Sequence, residues 1–254
     1  MTVDRNLVAA NLHTPRHQAL FLAATSNHSG DWLTTLPIAS CGLLLDDEAI
    51  RVAVALRLGL DVCVPHVCRC GKDVDAGGVH AFTCKKSQGK IARHRALNDV
   101  IARAFVAADV PVTKEPTGLS RSDGKRPDGL TLVPWKCGKA LTWDVTVAAT
   151  LAESYIRSTS VTAGSAAEAA ALKKCAKYGN LPANYLFQPI ALETQGFINS
   201  SAAKLLQDVG RKISAVSGEA KETLFLFQRV SMVLQRYNSI ILHDSFETHD
   251  DRDL

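Results

Sequence analysis

The sequence predicts a mixed α/β fold of the α+β kind, and three observations carry that reading. From Gly89 a helical apolar period runs to just before Pro111. Three strand-like runs, a helix, a strand and two amphipathic helices follow in that order. The segment before Gly89 is rich in Cys, Gly and charge and has no apolar period, as expected of a unit organised by something other than a core. The 254 residues, 46% hydrophobic and 21% charged, suit ordinary folding and exclude disordered, collagenous or coiled-coil classes.

Residues 1–45 show no sustained period, only Pro15, Gly30 and Pro37 as punctuation, and are expected to be a loosely ordered lead-in. Asp46, Asp47 and Glu48 open a helix, since carboxylates suit the free N–H groups of a first turn. Ile50, Val54 and Leu58 keep its spacing up to Gly59. Leu45-Asp46-Asp47 also resembles the paired aspartates of a polymerase metal motif, but no strand–turn–strand pattern surrounds it. The lead-in and linker helix thus occupy 1–62, and the Cys-rich segment 63–88.

In the helix from Gly89, Ile91, Leu97, Val100, Ile101, Ala104, Phe105 and Ala108 form one face, with Lys90, Arg93, Arg95 and Arg103 off it. Strands are expected over Val112 to Glu115, Arg126 to Trp135 and Lys139 to Val147. Lys136, Cys137 and Gly138 make a three-residue hairpin loop between the last two. Ser165 and Glu168 form a capping box for an Ala-rich helix that Gly179 stops. A buried strand, Tyr185 to Glu193, precedes helices over about 200–216 and 219–242. Leu224, Phe227, Val230, Leu234, Tyr237 and Ile241 mark the apolar face of the second. An acidic tail, 246–254, closes the chain.

Lys and Arg total 29 against 25 Asp and Glu, and the excess sits between Cys68 and Arg126, a basic middle suited to phosphates. No run approaches the roughly 18 apolar residues of a membrane span. No signal peptide is visible near Met1, so an intracellular chain without membrane partners is expected. In a reducing compartment seven Cys point first to metal. Cys68, Cys70, His80 and Cys84 supply three thiolates and an imidazole within seventeen residues, a set that closes a tetrahedral structural zinc site. Chance clustering of small, half-buried cysteines is the bland alternative, and Cys63 and His66 are competing ligands.

Pairing Trp135 with Lys139 sets Leu130 opposite Asp144 and Asp128 opposite Thr146. Asp128 and Asp144 are then diagonal neighbours on one face, about 7–8 Å apart at the backbone. Two carboxylates of that reach can share a hard cation, magnesium, which beside a phosphate activates water and stabilises charge on phosphorus. Lys174 and Lys177, one turn apart, with Tyr178 alongside, supply the lysine such sites use. Taken singly, the lysines read as surface residues and the aspartates as turn or edge-strand residues.

Over roughly residues 30–245 the sequence resembles the C-terminal part of a non-LTR retrotransposon polyprotein of the site-specific, single-frame kind. There a Cys-Cys-His-Cys zinc knuckle precedes a restriction-like endonuclease of the PD-(D/E)xK superfamily. The knuckle, Arg126-Pro127-Asp128, Asp144 and Lys174-x-x-Lys177-Tyr178 occur in the family's order. The resemblance implies a restriction-endonuclease-like core over 89–245, helix–three strands–helix–strand, with the small knuckle and flanking helices around it. By the same resemblance Asp128 and Asp144 hold magnesium. A Lys of the next helix replaces the one usually two positions after the second acid, here Thr146, and Glu115 and Glu193 are weaker candidates for the metal shell. Fifteen residues separate the two aspartates, slightly more than the family's usual gap.

The function so implied is nicking of target DNA in the nucleus, exposing a 3′ hydroxyl that primes reverse transcription. Element RNA and the polymerase region of the same polyprotein are further partners; the polymerase itself has no counterpart here, which suggests a fragment or a decayed or domesticated copy. Lys85, Lys86, Lys90, Arg93, Arg95 and Arg126 are the expected DNA contacts. A catalytically silent DNA-binding module, in which the basic helix near Arg93, His94 and Arg95 recruits nucleic acid, and a junction resolvase are the alternatives.

Overall fold

The computed structural model describes residue 8, residues 11–120 and residues 124–246. The acidic run from Glu247 lies outside the described residues. Two sheets and eight α-helices are present among them. α1 spans Pro15–Ala24 and α2 Asp47–Leu58. A two-stranded antiparallel ribbon, β1 His66–Val67 and β2 Asp73–Val74, leads to α3 Val79–Thr83. The remainder is α4 Gly89–Ala107, β3 Val112–Lys114, β4 Gly129–Thr131, β5 Ala140–Ala148, α5 Ile156–Thr159, α6 Ser165–Lys177, β6 Tyr185–Glu193, α7 Ser200–Ser217 and α8 Glu222–His243. The larger sheet runs β3-β4-β5-β6, antiparallel except for the parallel pair β5–β6. The fold is therefore mixed α and β, as expected, with α5 as a short addition between the third strand and the next helix. No helix among the described residues is long and apolar enough to cross a membrane.

β5 alternates across the sheet. Leu141, Trp143 and Val145 point to one side, into a core with Leu97, Ile101 and Phe105 of α4, Leu205, Leu206 and Val209 of α7, and Phe227, Val230 and Leu234 of α8. On the other side Ala148 and Ala191 meet Ala166, Ala167, Ala170 and Ala171 of α6. Side chains that small let α6 lie close against the sheet. Its basic end, Lys174 and Lys177, is thereby brought down onto the face where Asp144 points.

Several expectations are corrected. The lead-in is ordered where described: α1 starts from a Thr14 cap with Pro15 in its first turn, and Ala19, Leu20, Ala23 and Trp32 are buried. Its apolar residues are too few to show a period and are buried by α2, α5 and α8. Asp46 caps α2 through the Ala49 N–H and Gly59 ends it left-handed, as read, but Ile50, Val54 and Leu58 lie on the exposed face. The buried face is Ala49, Val52, Ala53, Ala55 and Leu56. In α4, Ile91 is exposed while Arg93 is 2% exposed, its Nη1 donating to Asn238 Oδ1 of α8. In α8, Leu224 is exposed rather than on the buried face.

The capping box at Ser165 does not form. Gly164 occupies the cap position, and Glu168 accepts from the Ser200 backbone instead. The free N–H groups of Ala166 and Ala167 donate to Oε1 of Glu193, at 3.0 and 3.2 Å. A carboxylate at the end of β6 thus does the work assigned to the local pattern.

The β4–β5 register differs from the expected one by two residues. Trp135 does bond Lys139, but Gly129 pairs with Trp143 and Leu130 with Thr142, so Leu130 does not face Asp144. β4 is also far shorter than Arg126 to Trp135. After Thr131 the chain leaves the ladder: Leu132 N–H donates to Pro111 O, and the Thr131 hydroxyl takes the Leu141 N–H and donates to Val133 O. A shift of two keeps the side-chain parity, so the facing of Asp128 relative to Asp144 survives it. β3 stops at Lys114 because Glu115 is left-handed, φ 49°.

Candidate metal centres

Two clusters of possible metal ligands stand out among the described residues: Cys68, Cys70, His80 and Cys84, and His94, Asp128 and Asp144. Within each, the donor atoms lie within 4.8 Å of one another.

The first is assembled from two short pieces. β1 delivers Cys68 and Cys70 into a tight turn closed by Cys68 N–H to Lys72 O, and α3 carries His80 with Cys84 at its C-cap. Gly78, left-handed at φ 67°, starts α3; a Cβ there would meet Leu242 and Val62 side-chain atoms at 2.8 Å. Cys68 Sγ is 3.8 Å from Cys84 Sγ, and Cys70 Sγ is 3.0 Å from His80 Nε2. Ligands at the roughly 2.3 Å of a zinc–thiolate bond stand about 3.8 Å apart across a tetrahedral edge, so the sulfur pair fits one ion. Burial pushes the Cys68 thiol up to about 11. For Cys70, burial is outweighed by hydrogen bonds from the Lys72 backbone and His80, which bring it down to about 6. The shift favours the thiolate, the ligating form, at Cys70 over Cys68.

The competitors stand aside. Cys63 Sγ bonds the carbonyls of Asp75 and Ala76, while His66 bonds Ser245 and stacks on Phe246. The knuckle is fastened to the rest of the chain by Arg69, which bonds the Phe246 carbonyl and pairs with Asp244, and by Lys90, whose Nζ donates to Cys84 O at 3.2 Å.

The second cluster lies at the junction of α4, β4, β5 and α6. Gly129 is required for it: the Trp143 ring covers this residue so closely that a Cβ would be 2.0 Å from Cζ2. Trp143 Nε1 donates to Asn98 Oδ1 at 2.8 Å, and Asn98 Nδ2 donates to Asp128 O at 3.2 Å. With Asp128 N–H on Trp143 O and Glu115 N–H on Asp128 O, the backbone of Asp128 is held from three sides. Its Oδ2 accepts the Val145 N–H at 2.6 Å and meets His94 Nε2 at 2.9 Å. Asp144, 3% exposed, pairs with both lysines, Lys174 at Oδ1 and Lys177 at Oδ2, the latter at 3.5 Å. Lys177 also donates to the Tyr178 hydroxyl, which donates to Arg126 O at 2.7 Å.

The Asp128 hydrogen bond raises the imidazole pKa of His94 against the effect of burial, with Asp144 adding to the rise. Burial holds the Lys177 ammonium below the usual lysine range despite Asp144.

Asp128, Asp144, Lys174, Lys177 and Tyr178 thus come together. Glu115 does not join them: it pairs with Arg126, which also lowers its pKa. Glu193 caps α6, four positions along β6 from the residue beside Asp144. Of the expected DNA contacts, Lys85, Lys86 and Arg95 are exposed, and Arg126 is half-buried in its pair with Glu115. Lys90 is committed to Cys84 O. Arg93 is withdrawn altogether; burial lowers its pKa to about 10, so no surface is left for a phosphate. The sequence places His94 only in the basic helix of the DNA-binding alternative, not beside the acids, and gives Asn98 no role. Their i, i+4 spacing, which sets both toward Asp128, is the signal available. No protein-family model matches the chain, and no curated protein matches it.

Proposed function

We propose that the chain is a metal-dependent DNA endonuclease. In this reading it nicks target DNA in the nucleus to prime reverse transcription of a retrotransposon whose polymerase region and RNA are its partners. The observation that carries it is the convergence of Asp128, Asp144 and His94 within 4.8 Å, with Lys174 and Lys177 on the same carboxylate. The order of elements from α4 to β6, with one acid just before β4, the other on β5 and lysines on α6, supports a restriction-endonuclease-like core.

In this reading the Cys68, Cys70, His80 and Cys84 set holds zinc structurally, since four protein ligands leave no position for water. Asp128 and Asp144 hold a divalent cation, magnesium, which supplies Lewis-acid stabilisation of the charge developing at phosphorus. The residues do the rest. The Val145 N–H fixes one oxygen of Asp128, so its carboxylate is aimed before substrate arrives. Lys174 and Lys177 present ammonium groups where a scissile phosphate must lie. Tyr178 holds Lys177 against the Arg126 carbonyl and so limits its reach. Lys85, Lys86 and Arg95 extend the phosphate contacts beyond the cleft.

One observation favours a second reading. Two lysines against two carboxylates leave the cleft without the net negative charge that draws a cation, as in a silent module that holds a phosphate and does not cut it. Nicking of supercoiled plasmid decides between them. The endonuclease requires added divalent cation and loses cleavage in Asp128→Ala; the silent module binds the plasmid with or without the ion and leaves it supercoiled. Comparing branched with linear substrates tests the resolvase alternative.

A further inference from the structure

The endonuclease reading gives His94 no chemical role, yet its Nε2 lies in the cleft against Asp128. It lies in the second turn of α4. That helix is pinned at its start by Lys90 on Cys84 O, by Arg93 on Asn238, and one turn further by Asn98 on Asp128 O. The backbone that carries the imidazole is thereby fixed beside the cleft. Its Nε2 is 2.9 Å from Asp128 Oδ2. Two adjacent ligands on an octahedral ion, each bonded at about 2.1 Å, stand about 3.0 Å apart.

Charge makes the nitrogen matter. Lys174 and Lys177 offset the two carboxylates, so a cation held by charge alone is held weakly. An imidazole adds a donor without adding charge to the protein. Magnesium gains little from it, because that ion prefers oxygen and gives up water reluctantly. A borderline ion that accepts nitrogen gains more.

We propose that His94 is the third protein ligand of the cleft cation, and that the site accordingly selects manganese over magnesium. The inference rests on the reading that this cleft holds a cation, and adds the identity of the ligand set and of the ion.

Manganese alone, titrated into the zinc-loaded full chain without DNA, tests it. Electron paramagnetic resonance counts bound Mn²⁺, and electron spin echo modulation detects a directly bonded nitrogen. The expected result is Mn²⁺ binding about tenfold tighter than Mg²⁺ by competition, with nitrogen modulation that disappears in His94→Gln together with about a tenfold loss of Mn²⁺ affinity. Zinc content, unchanged in that variant, shows that the knuckle and fold persist. If His94→Gln fails to fold, selective [¹⁵N]histidine labelling of the unaltered chain replaces it. A modulation pattern that changes with the label supports the proposal, since His94 is the one histidine in the cleft among the described residues. Bound Mn²⁺ without nitrogen modulation overturns it, as does unchanged affinity in His94→Gln. The two readings fail separately: nitrogen-ligated Mn²⁺ in a chain that never nicks DNA leaves this inference standing. Unchanged Mn²⁺ affinity in a His94→Gln protein that still nicks DNA with added divalent cation removes it and keeps the endonuclease.

Discussion

Lys174 and Asp144, thirty residues apart in the chain, form an ion pair inside the cleft, with Lys177 on the second oxygen of the same carboxylate. In the endonuclease reading the pair makes cation and DNA binding interdependent. A phosphate entering the cleft draws the ammonium groups to itself and releases Asp144, so each ligand improves the site for the other. Lys174→Met removes one competitor of the cation. We expect it to tighten Mn²⁺ binding to the free protein by roughly threefold to tenfold, since the ion pair is partly screened by solvent, and to weaken DNA binding. Weaker Mn²⁺ binding in the variant, measured without DNA, contradicts this coupling.

In the proposed reading Cys68, Cys70, His80 and Cys84 hold an ion, and its removal is expected to reach the cleft through Lys90. Cys84 carries both a candidate ligand sulfur and the carbonyl that receives Lys90 Nζ, four residues before His94. Chelation should expose the amides of 66–84 and the first turn of α4 to hydrogen exchange, while β5 and β6, buried in the main core, keep their protection. Uniform loss of protection across the sheet, or none in the knuckle, would show a different linkage.

Arg93 and Arg95 are alike in type, stand two residues apart and should behave oppositely. Arg93→Met leaves Asn238 Oδ1 without its donor, costing about 1–3 kcal/mol of stability, with no effect on the salt dependence of DNA binding. Arg95→Gln, on the exposed side, should leave stability within about 0.5 kcal/mol and lower the salt slope by roughly one. Thermal unfolding and binding isotherms at several salt concentrations read both.

Glu193 gives the fold a pH dependence. Burial raises its pKa above the ordinary 4.5, against the pull of the Ala167 N–H, the Thr150 hydroxyl and the Ala166 N–H. The native state therefore holds this proton more tightly than the unfolded chain. The stability it contributes is full below 4.5 and is lost as pH rises through the raised value. Glu193→Gln keeps an acceptor for the two N–H groups and does not titrate. The variant should melt higher than the parent at neutral pH, with the gap closing below 4.5. A parent that gains stability as pH rises through that range would reverse the sign.

What the sequence disclosed follows the range of the interactions involved. Tyr185–Glu193 is readable to the residue because a run of apolar side chains in one buried strand needs no partner to be recognised. The hairpin position follows from Gly138, but the sequence predicts a three-residue loop over 136–138, whereas the turn closes through two left-handed residues, Cys137 and Gly138, with Lys136 paired to Lys139. The approach of Asp128 to Asp144 survives an error in register because a two-residue shift preserves side-chain parity. The misses are long-range. Ser165 and Glu168 satisfy the local capping pattern, but Glu193, 26 residues beyond Ala167, takes the N–H groups. Arg93 looks like a surface cation until Asn238 of α8 is packed against it. His94 becomes a site residue only when α4 lies against β4.

Single-turnover nicking of plasmid DNA by the zinc-loaded chain, at protein concentrations that saturate the DNA, tests the endonuclease reading most directly. The account predicts cleavage that depends on added Mn²⁺ or Mg²⁺ and a loss of at least about a hundredfold in Asp144→Asn, with DNA affinity nearly retained because Lys85, Lys86, Arg95 and the two cleft lysines remain. Undiminished nicking by Asp144→Asn, or saturated binding with no cleavage at any divalent-ion concentration, would contradict it.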